Sequence, residues 1–199
     1  MNAHLSPADY SNFHQIIWGN EGVPTSHIYV LLDCACDERI YPEMLDCGLE
    51  YQCLYPGIFS EELATVAPYL VKLKQQSGFT KWIYTEGWGG NWGVYLTVEY
   101  NISFDTLRHF QQMVRVRDER DRILFFRFYD PRVLQVYLPT CLNGELRSFF
   151  GKVKNLYMED EKGMNVLDFR FDGVKLQQRK VEIATLASEA IQIDFPVPA

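Results

Sequence analysis

The chain has 199 residues, of which 47% are hydrophobic and 15% aromatic, and this content suits a folded domain rather than a disordered segment. The 19 Lys and Arg residues against 26 Asp and Glu residues give a net charge of −7, which argues against nucleic acid as a partner because a phosphate backbone requires a basic surface. No apolar run approaches the roughly 20 residues that a membrane-spanning helix needs, and residues 1–11 lack the pattern of a signal peptide. We therefore expect a cytoplasmic protein that does not contact a membrane.

The first half of the chain predicts strands that alternate with short helices. The predicted elements are, in order, a helix over residues 9–18, a strand over 27–32 ending at Asp33, a helix over 37–46, strands over 49–55 and 67–73, a helix over 79–84, a glycine-rich loop over 87–93 and a strand over 94–100. The first strand–helix–strand unit predicts a crossover connection within one sheet.

The second half contains an aromatic and aliphatic run at residues 123–129, interrupted by Arg127. A run this apolar predicts a strand that is buried on both faces, and residues 114–117 supply its hairpin partner. The run leads into a helix start, because Asp130 occupies an N-cap position and Pro131 the first helical position. Since an unpaired buried charge is costly, Arg127 requires a carboxylate or carbonyl partner.

The C-terminal part of the chain has more strand signals than helix signals. Residues 153–157 predict a strand, 159–162 a solvated charged loop, 166–171 and 174–183 a hairpin, and 191–199 an apolar tail. We expect a mixed α/β fold in which helices flank a central mixed sheet and a β-rich C-terminal appendage follows. The expected divisions are a lead-in segment over 1–26, a core domain over 27–157, and a hairpin with a tail over 158–199.

Motifs of known chemistry do not occur in the sequence. The four histidines are isolated, and Cys34-Ala-Cys36 lacks the spacing of a zinc site. The glycine-rich loop precedes a strand, whereas phosphate-binding loops open a helix. We expect reduced thiols at all five cysteines, with no catalytic residue, no cofactor and no metal.

Two acidic residues support an alternative. Asp33 lies at the carboxyl end of a strand, where open α/β sheets place their sites, and it is also the nearest candidate partner for Arg127; a structural ion pair is the favoured interpretation. Glu86 lies beside Trp88 and Trp92, an arrangement that also occurs in sugar-binding clefts. An enzyme that acts on a sugar or another small molecule would use Asp33 and Glu86 in one cleft.

Five sequence blocks together resemble one family. They are Tyr29–Asp33, Ala67–Leu73, Trp92–Leu96, Phe126–Leu134 and Phe149–Gly151. This combination resembles the effector adaptors, or chaperones, of type VI secretion systems (Tap, TEC or VasW-like), with Asp33, Arg127, Tyr129, Asp130 and Pro131 in positions that define the fold. The resemblance implies a non-enzymatic protein that holds a toxic effector in the cytoplasm and loads it onto a VgrG spike or a PAAR tip.

The surface that contacts these partners has two candidates in the sequence. Large aromatic residues in loops often anchor interfaces, so Trp88 and Trp92 are candidates, although a place in the core is equally compatible with their pattern. The second candidate is the apolar tail, which could add as a strand to a partner and whose anchors are Ile191, Ile193 and Phe195. An immunity protein that neutralises a toxin is a further alternative.

Overall fold

A seven-stranded sheet forms the centre of the structure, a computed structural model that describes residues 7–19, 27–57, 60–99 and 104–183. The helices are α1 Pro7–Trp18, α2 Ile40–Asp46, α3 Glu61–Ala64, α4 Gly78–Gly87, α5 Phe104–Met113, α6 Pro131–Tyr137 and α7 Asn143–Phe150, with short 3₁₀ turns at Cys34–Cys36 and Leu138–Thr140. The strands are β1 His27–Asp33, β2 Tyr51–Cys53, β3 Pro68–Lys72, β4 Gly93–Val98, β5 Arg115–Arg117, β6 Ile123–Phe125, β7 Val153–Glu159, β8 Asn165–Phe171 and β9 Leu176–Glu182.

The strand order in the main sheet is β2-β3-β1-β4-β7-β8-β9, and every neighbouring pair is antiparallel. β1 and β2 both run antiparallel to β3, so they are parallel to each other and the connection between them crosses over one strand. The predicted mixed α/β class is confirmed. The predicted hairpin is present as β8 and β9, and it extends the central sheet, so the expected division between residues 157 and 158 falls inside β7.

Strand β1 lies at the middle of the core and is covered on both faces. Its side chains alternate between two hydrophobic clusters: Val30 and Leu32 belong to the first, and Tyr29 and Leu31 to the second. Helices α1, α2 and α4 contribute buried side chains to the first cluster, whereas α5, α6 and α7 contribute to the second. Because neither face of this strand meets water, its residues from Ile28 to Leu32 are all apolar.

The prediction of a buried strand over 123–129 was wrong. Only Ile123–Phe125 form a strand, and β6 pairs with β5 alone in a separate two-stranded sheet. The side chains of Phe128 and Tyr129 are buried in the second cluster, but the chain turns there, with the amide of Asp130 donating to the oxygen of Arg127 at 3.0 Å. The strand therefore ends before this turn, and α6 begins directly after it.

The structure also describes the state of the cysteines and the length of the helices. The five cysteines all lie within the described residues and none is joined in a disulfide. Among the helices of the described ranges, none combines the length and the apolar character needed to cross a bilayer.

Candidate functional site

The end of β1 meets the start of α6 through an ion pair. The Asp33 side chain is only 2% exposed, and Arg127 donates from Nη2 to its Oδ2 at 2.6 Å. The same nitrogen lies 3.5 Å from Oδ2 of Asp130. The hydrogen bond to Asp33 is the main cause that raises the pKa of Arg127 above its ordinary value. Arg127 is 44% exposed, so it closes the pair from the solvent side instead of lying in the core.

Asp130 caps α6, as the sequence predicts. Its Oδ1 accepts from the amide of Arg132 at 3.0 Å, and the Arg132 guanidinium adds two further hydrogen bonds to the same carboxylate at 2.9 and 2.8 Å. Pro131 is buried at the first turn, and Tyr129 packs edge-on against Phe128 with 5.8 Å between ring centroids. We call Asp33, Arg127, Asp130 and Arg132 the clasp, because two buried carboxylates and two partly exposed arginines join β1 to α6.

Both carboxylates of the clasp have several hydrogen-bond partners. Both carboxylates accept charged hydrogen bonds, and each also accepts a backbone amide, from Ala35 in the case of Asp33. Burial, followed by the charges of Asp33 and Asp130, raises the pKa of the nearby Cys36 thiol to about 12, so this thiol is protonated and unreactive at neutral pH. In the part of the chain that the structure describes, no cluster of three or more His, Cys, Asp or Glu side chains is placed to hold a metal ion.

The carboxylates of the enzyme alternative are held by different arginines. Asp33 pairs with Arg127, whereas Glu86 lies 3.5 Å from Nη1 of Arg39 and is 34% exposed. The alternative expects an acid with a raised pKa at one of these two positions. Among the carboxyl groups of the described residues, that of Glu159 has its pKa raised by burial, to about 7.

Glu159 was expected in a solvated loop, and this prediction was wrong. The residue ends β7, is 4% exposed, and accepts hydrogen bonds from the amides of Gly89 and Asn91, the latter at 2.6 Å. Burial is the main reason for its raised pKa, with a smaller contribution from the neighbouring Asp160. The carboxylate therefore supplies acceptors for loop amides that a buried loop would otherwise leave unpaired. A signal for this burial is present in the sequence, since Glu159 directly follows the apolar run Leu156-Tyr157-Met158.

Trp88 and Trp92 are core residues, which is the second of the two places that their sequence pattern allows. Their relative exposures are 2% and 3%. Trp88 packs on Phe13 with 4.4 Å between ring centroids, and its Nε1 donates to the oxygen of Gly163 at 2.7 Å. Trp92 packs on Trp82 at 5.0 Å.

The glycines of this loop make room for the indole of Trp92. A Cβ atom at Gly87 would lie 2.6 Å from the Trp92 ring, and one at Gly90 would lie 2.7 Å from its Nε1. The glycine-rich composition therefore reflects close packing around a buried ring rather than an exposed, adaptable loop. The tail anchors Ile191, Ile193 and Phe195 lie outside the described residues.

Strands β5 and β6 carry exposed apolar side chains that the sequence did not lead us to expect. The exposed fractions are 39% for Val116, 56% for Ile123, 46% for Leu124 and 56% for Phe125. Of these, Phe125 contacts the ring of Tyr55, 5.4 Å away between centroids. We call residues 115–125 the ribbon. The signal for its exposure is the pair Arg115 and Arg117, which alternate with Val116 on the strand opposite the apolar run.

A shallow groove lies on another part of the molecule. It has a volume of about 780 Å³ and its lining includes Lys152, Lys154 and Arg170 with Glu99. Nζ of Lys154 lies 3.7 Å from Glu99, so part of this basic charge is compensated. No residue of the clasp or of the ribbon belongs to its lining.

Together, these observations describe a mixed α/β domain in which the buried carboxylates Asp33 and Asp130 are paired with arginines and the side chains of β5 and β6 are exposed. The chain matches the family described as Domain of unknown function (DUF4123) over residues 28–148, which is more than half of its length. The chain therefore belongs to the DUF4123 family, which is associated with the effector adaptors of type VI secretion. Comparisons with curated proteins and with solved structures found no match.

Proposed function

We propose that this protein is a non-enzymatic adaptor of a type VI secretion system, which binds a toxic effector in the cytoplasm and loads it onto a VgrG or PAAR spike protein. Membership of the DUF4123 family is the observation that carries the proposal. The matched range, residues 28–148, contains all of β1 except its first residue, the complete clasp and the ribbon. Its partners on this proposal are proteins, not nucleic acids or membranes.

The clasp supports a scaffold role. A catalytic acid or base has to reach a substrate, whereas Asp33 and Asp130 are buried and accept hydrogen bonds from Arg127 and Arg132. An adaptor instead needs a rigid domain that presents one or more surfaces, with a few anchor residues supplying most of the binding free energy. The ribbon supplies exposed apolar side chains of the kind that such anchors require.

Purification of the tagged chain from its native cytosol tests the proposal. We expect both a toxin and a spike protein to be retained, identified by mass spectrometry, with a tagged unrelated acidic protein of similar size as the control. Retention of neither partner by a correctly folded chain would contradict the adaptor function.

Deletion of the gene separates the adaptor from the immunity alternative. Loss of the adaptor leaves the toxin inside the cell without killing it, so secretion of the toxin falls while the cells grow normally. Loss of an immunity protein instead causes self-intoxication. Growth arrest that is relieved by removing the toxin would favour the immunity alternative.

A further inference from the structure

We propose that the free edge of β5 binds an extended segment of a protein partner, and that this segment carries acidic residues on both sides of an apolar one. The inference rests on the proposed function, since it names the surface and the chemistry through which the adaptor holds one of its partners. The backbone, the side chains and the charges of the ribbon each support it.

One edge of β5 is left open by the strands that the structure describes. The amide of Phe126 donates to the oxygen of Val114 at 2.9 Å and so sets the hydrogen-bonding phase of the hairpin. Hydrogen-bonded and non-hydrogen-bonded pairs alternate along an antiparallel ladder, so the N–H and C=O groups of Arg115 and Arg117 point away from β6. No described strand pairs with this side of β5. The edge can therefore accept an added strand.

The side chains divide the ribbon into two faces. Cross-strand partners and residues two apart share a face, and the register places Val116 with Leu124 on one face and Arg115, Arg117, Ile123 and Phe125 on the other. A strand added beside β5 places one residue next to Val116 on the apolar face. Its two neighbours lie next to the arginines. The added strand covers side chains that are otherwise exposed, which stabilises a two-stranded hairpin that is marginal by itself in water.

The charge of the paired residues of the ribbon selects acidic neighbours. These residues include Arg115 and Arg117 and no carboxylate, in a chain whose net charge is −7, whereas Asp118, Glu119 and Asp121 lie in the turn beyond them. Arg115 makes no ion pair with any described residue. Arg117 contacts Asp121 at 2.7 Å, but both side chains are largely exposed, at 62% and 82%, and such pairs are weak and exchange readily. Opposite charges across a strand pair are favourable, so carboxylates in the partner fit these positions.

The same charges argue against a second copy of this chain. Two β5 edges in antiparallel contact would place Arg115 and Arg117 against the arginines of the other copy, and like charges directly opposite each other destabilise a pair. A hetero-partner with acidic residues avoids this repulsion.

Binding of defined peptides tests the chemistry. The probes are a fluorescein-labelled peptide with the core Glu-Val-Glu-Val-Glu, its counterpart with Lys in place of Glu, and a Glu peptide in which alternate amides are N-methylated so that they cannot donate. In fluorescence anisotropy we expect the Glu peptide to bind and the other two to fail. Equal binding of all three peptides, or no binding of the Glu peptide, would overturn the inference.

Matched substitutions test whether the peptide binds at the edge of β5. Val116→Ser and Arg115→Glu are each expected to lower the affinity for the Glu peptide about tenfold or more. Val174→Ser is the control for the first, because Val174 is also an exposed valine, at 69%, but lies outside the ribbon. Arg120→Glu is the control for the second, because it makes the same charge change at the ribbon tip, beyond the paired residues, and we expect a smaller effect. If a variant and its control weaken the binding of the Glu peptide equally, specific binding at the edge of β5 is excluded.

Photo-cross-linking in the native cytosol identifies the occupant. With p-benzoylphenylalanine at position 116, we expect a product that joins the chain to a segment of the effector or the spike with acidic residues next to the linked position. A product with a second copy or with residues 184–199 of the same chain would overturn the inference. The double variant Val116→Ser with Arg115→Glu is compared with the wild type for retention of the partners. If both retain them equally, the ribbon is excluded as the binding site while the adaptor function stands. If the wild-type chain retains none, the adaptor function itself fails.

Discussion

Replacement of Arg127 by methionine tests whether the clasp stabilises the fold. Methionine keeps the apolar stem of the side chain but removes the guanidinium. The Asp33 carboxylate, 2% exposed, then loses its 2.6 Å hydrogen bond and keeps only the amide of Ala35 at 3.1 Å. We therefore expect the variant to fold with a lower free energy of unfolding.

The expected loss in the free energy of unfolding depends on how deeply the side chains of Asp33 and Arg127 are buried. Removing one partner of a fully buried pair costs about 3–5 kcal/mol. Arg127 is 44% exposed, so water already screens the pair and can approach Asp33 in the variant. This reduces the expected loss to about 1–3 kcal/mol, which corresponds to a fall in the melting temperature of about 3–10 °C for a domain of this size.

Urea denaturation followed by tryptophan fluorescence measures the loss, because Trp88 and Trp92 are buried in the folded chain. Asp33→Asn and the double variant complete a double-mutant cycle, in which we expect a coupling free energy of about 1–2 kcal/mol. Arg120→Met is the control, since this exposed arginine makes no ion pair with a described residue. A loss below about 0.5 kcal/mol, or no coupling, would refute the structural role of the clasp.

Three further substitutions test burial elsewhere in the sheet and the ribbon. Burial raises the pKa of Glu159 from its ordinary value of 4.5 to about 7, so the folded state holds this proton more tightly than the unfolded chain. The contribution of this proton to stability is then full below pH 4.5 and is lost as the pH rises through 7. Relative to Glu159→Gln, the free energy of unfolding of the wild type should fall by up to about 3 kcal/mol between pH 4.5 and 8 in urea titrations. Parallel pH profiles of the two proteins would contradict this. A Cβ at Gly93 would overlap the oxygen of Leu31, so Gly93→Ala should cost more than about 3 kcal/mol in thermal unfolding, whereas Gly144→Ala, with nothing within 4 Å, should cost nothing. Leu124→Ser should change the stability by less than about 0.5 kcal/mol because the side chain is 46% exposed, and a loss above about 2 kcal/mol would mean that the ribbon is covered.

Local signals in the sequence predicted the elements well where the chemistry acts within a few residues. The Asp130-Pro131 start of α6 is formed by a side chain that accepts an amide two positions away, so neighbouring residues suffice to determine it. The apolar run of β1 and the turn between β8 and β9 are also local patterns. The pairing of Arg127 with Asp33 could be inferred as well, because few acidic residues lie at the end of a buried strand.

Burial was decided by the tertiary structure. The runs at β1 and at residues 123–125 are both apolar, yet neighbouring strands and helices cover the first on both faces and leave the second exposed. The burial of Glu159 and Trp88 also depends on residues that are distant in the chain. Glu159 is a buried acceptor for the amides of Gly89 and Asn91, and the Trp88 indole lies in the core, where it donates to the oxygen of Gly163. The sequence by itself determined the start of α6, the strand β1 and the family, because short-range hydrogen bonds and motifs depend on adjacent residues. Only the assembled fold determined which side chains remain exposed, because exposure depends on the contacts of segments far apart in the chain.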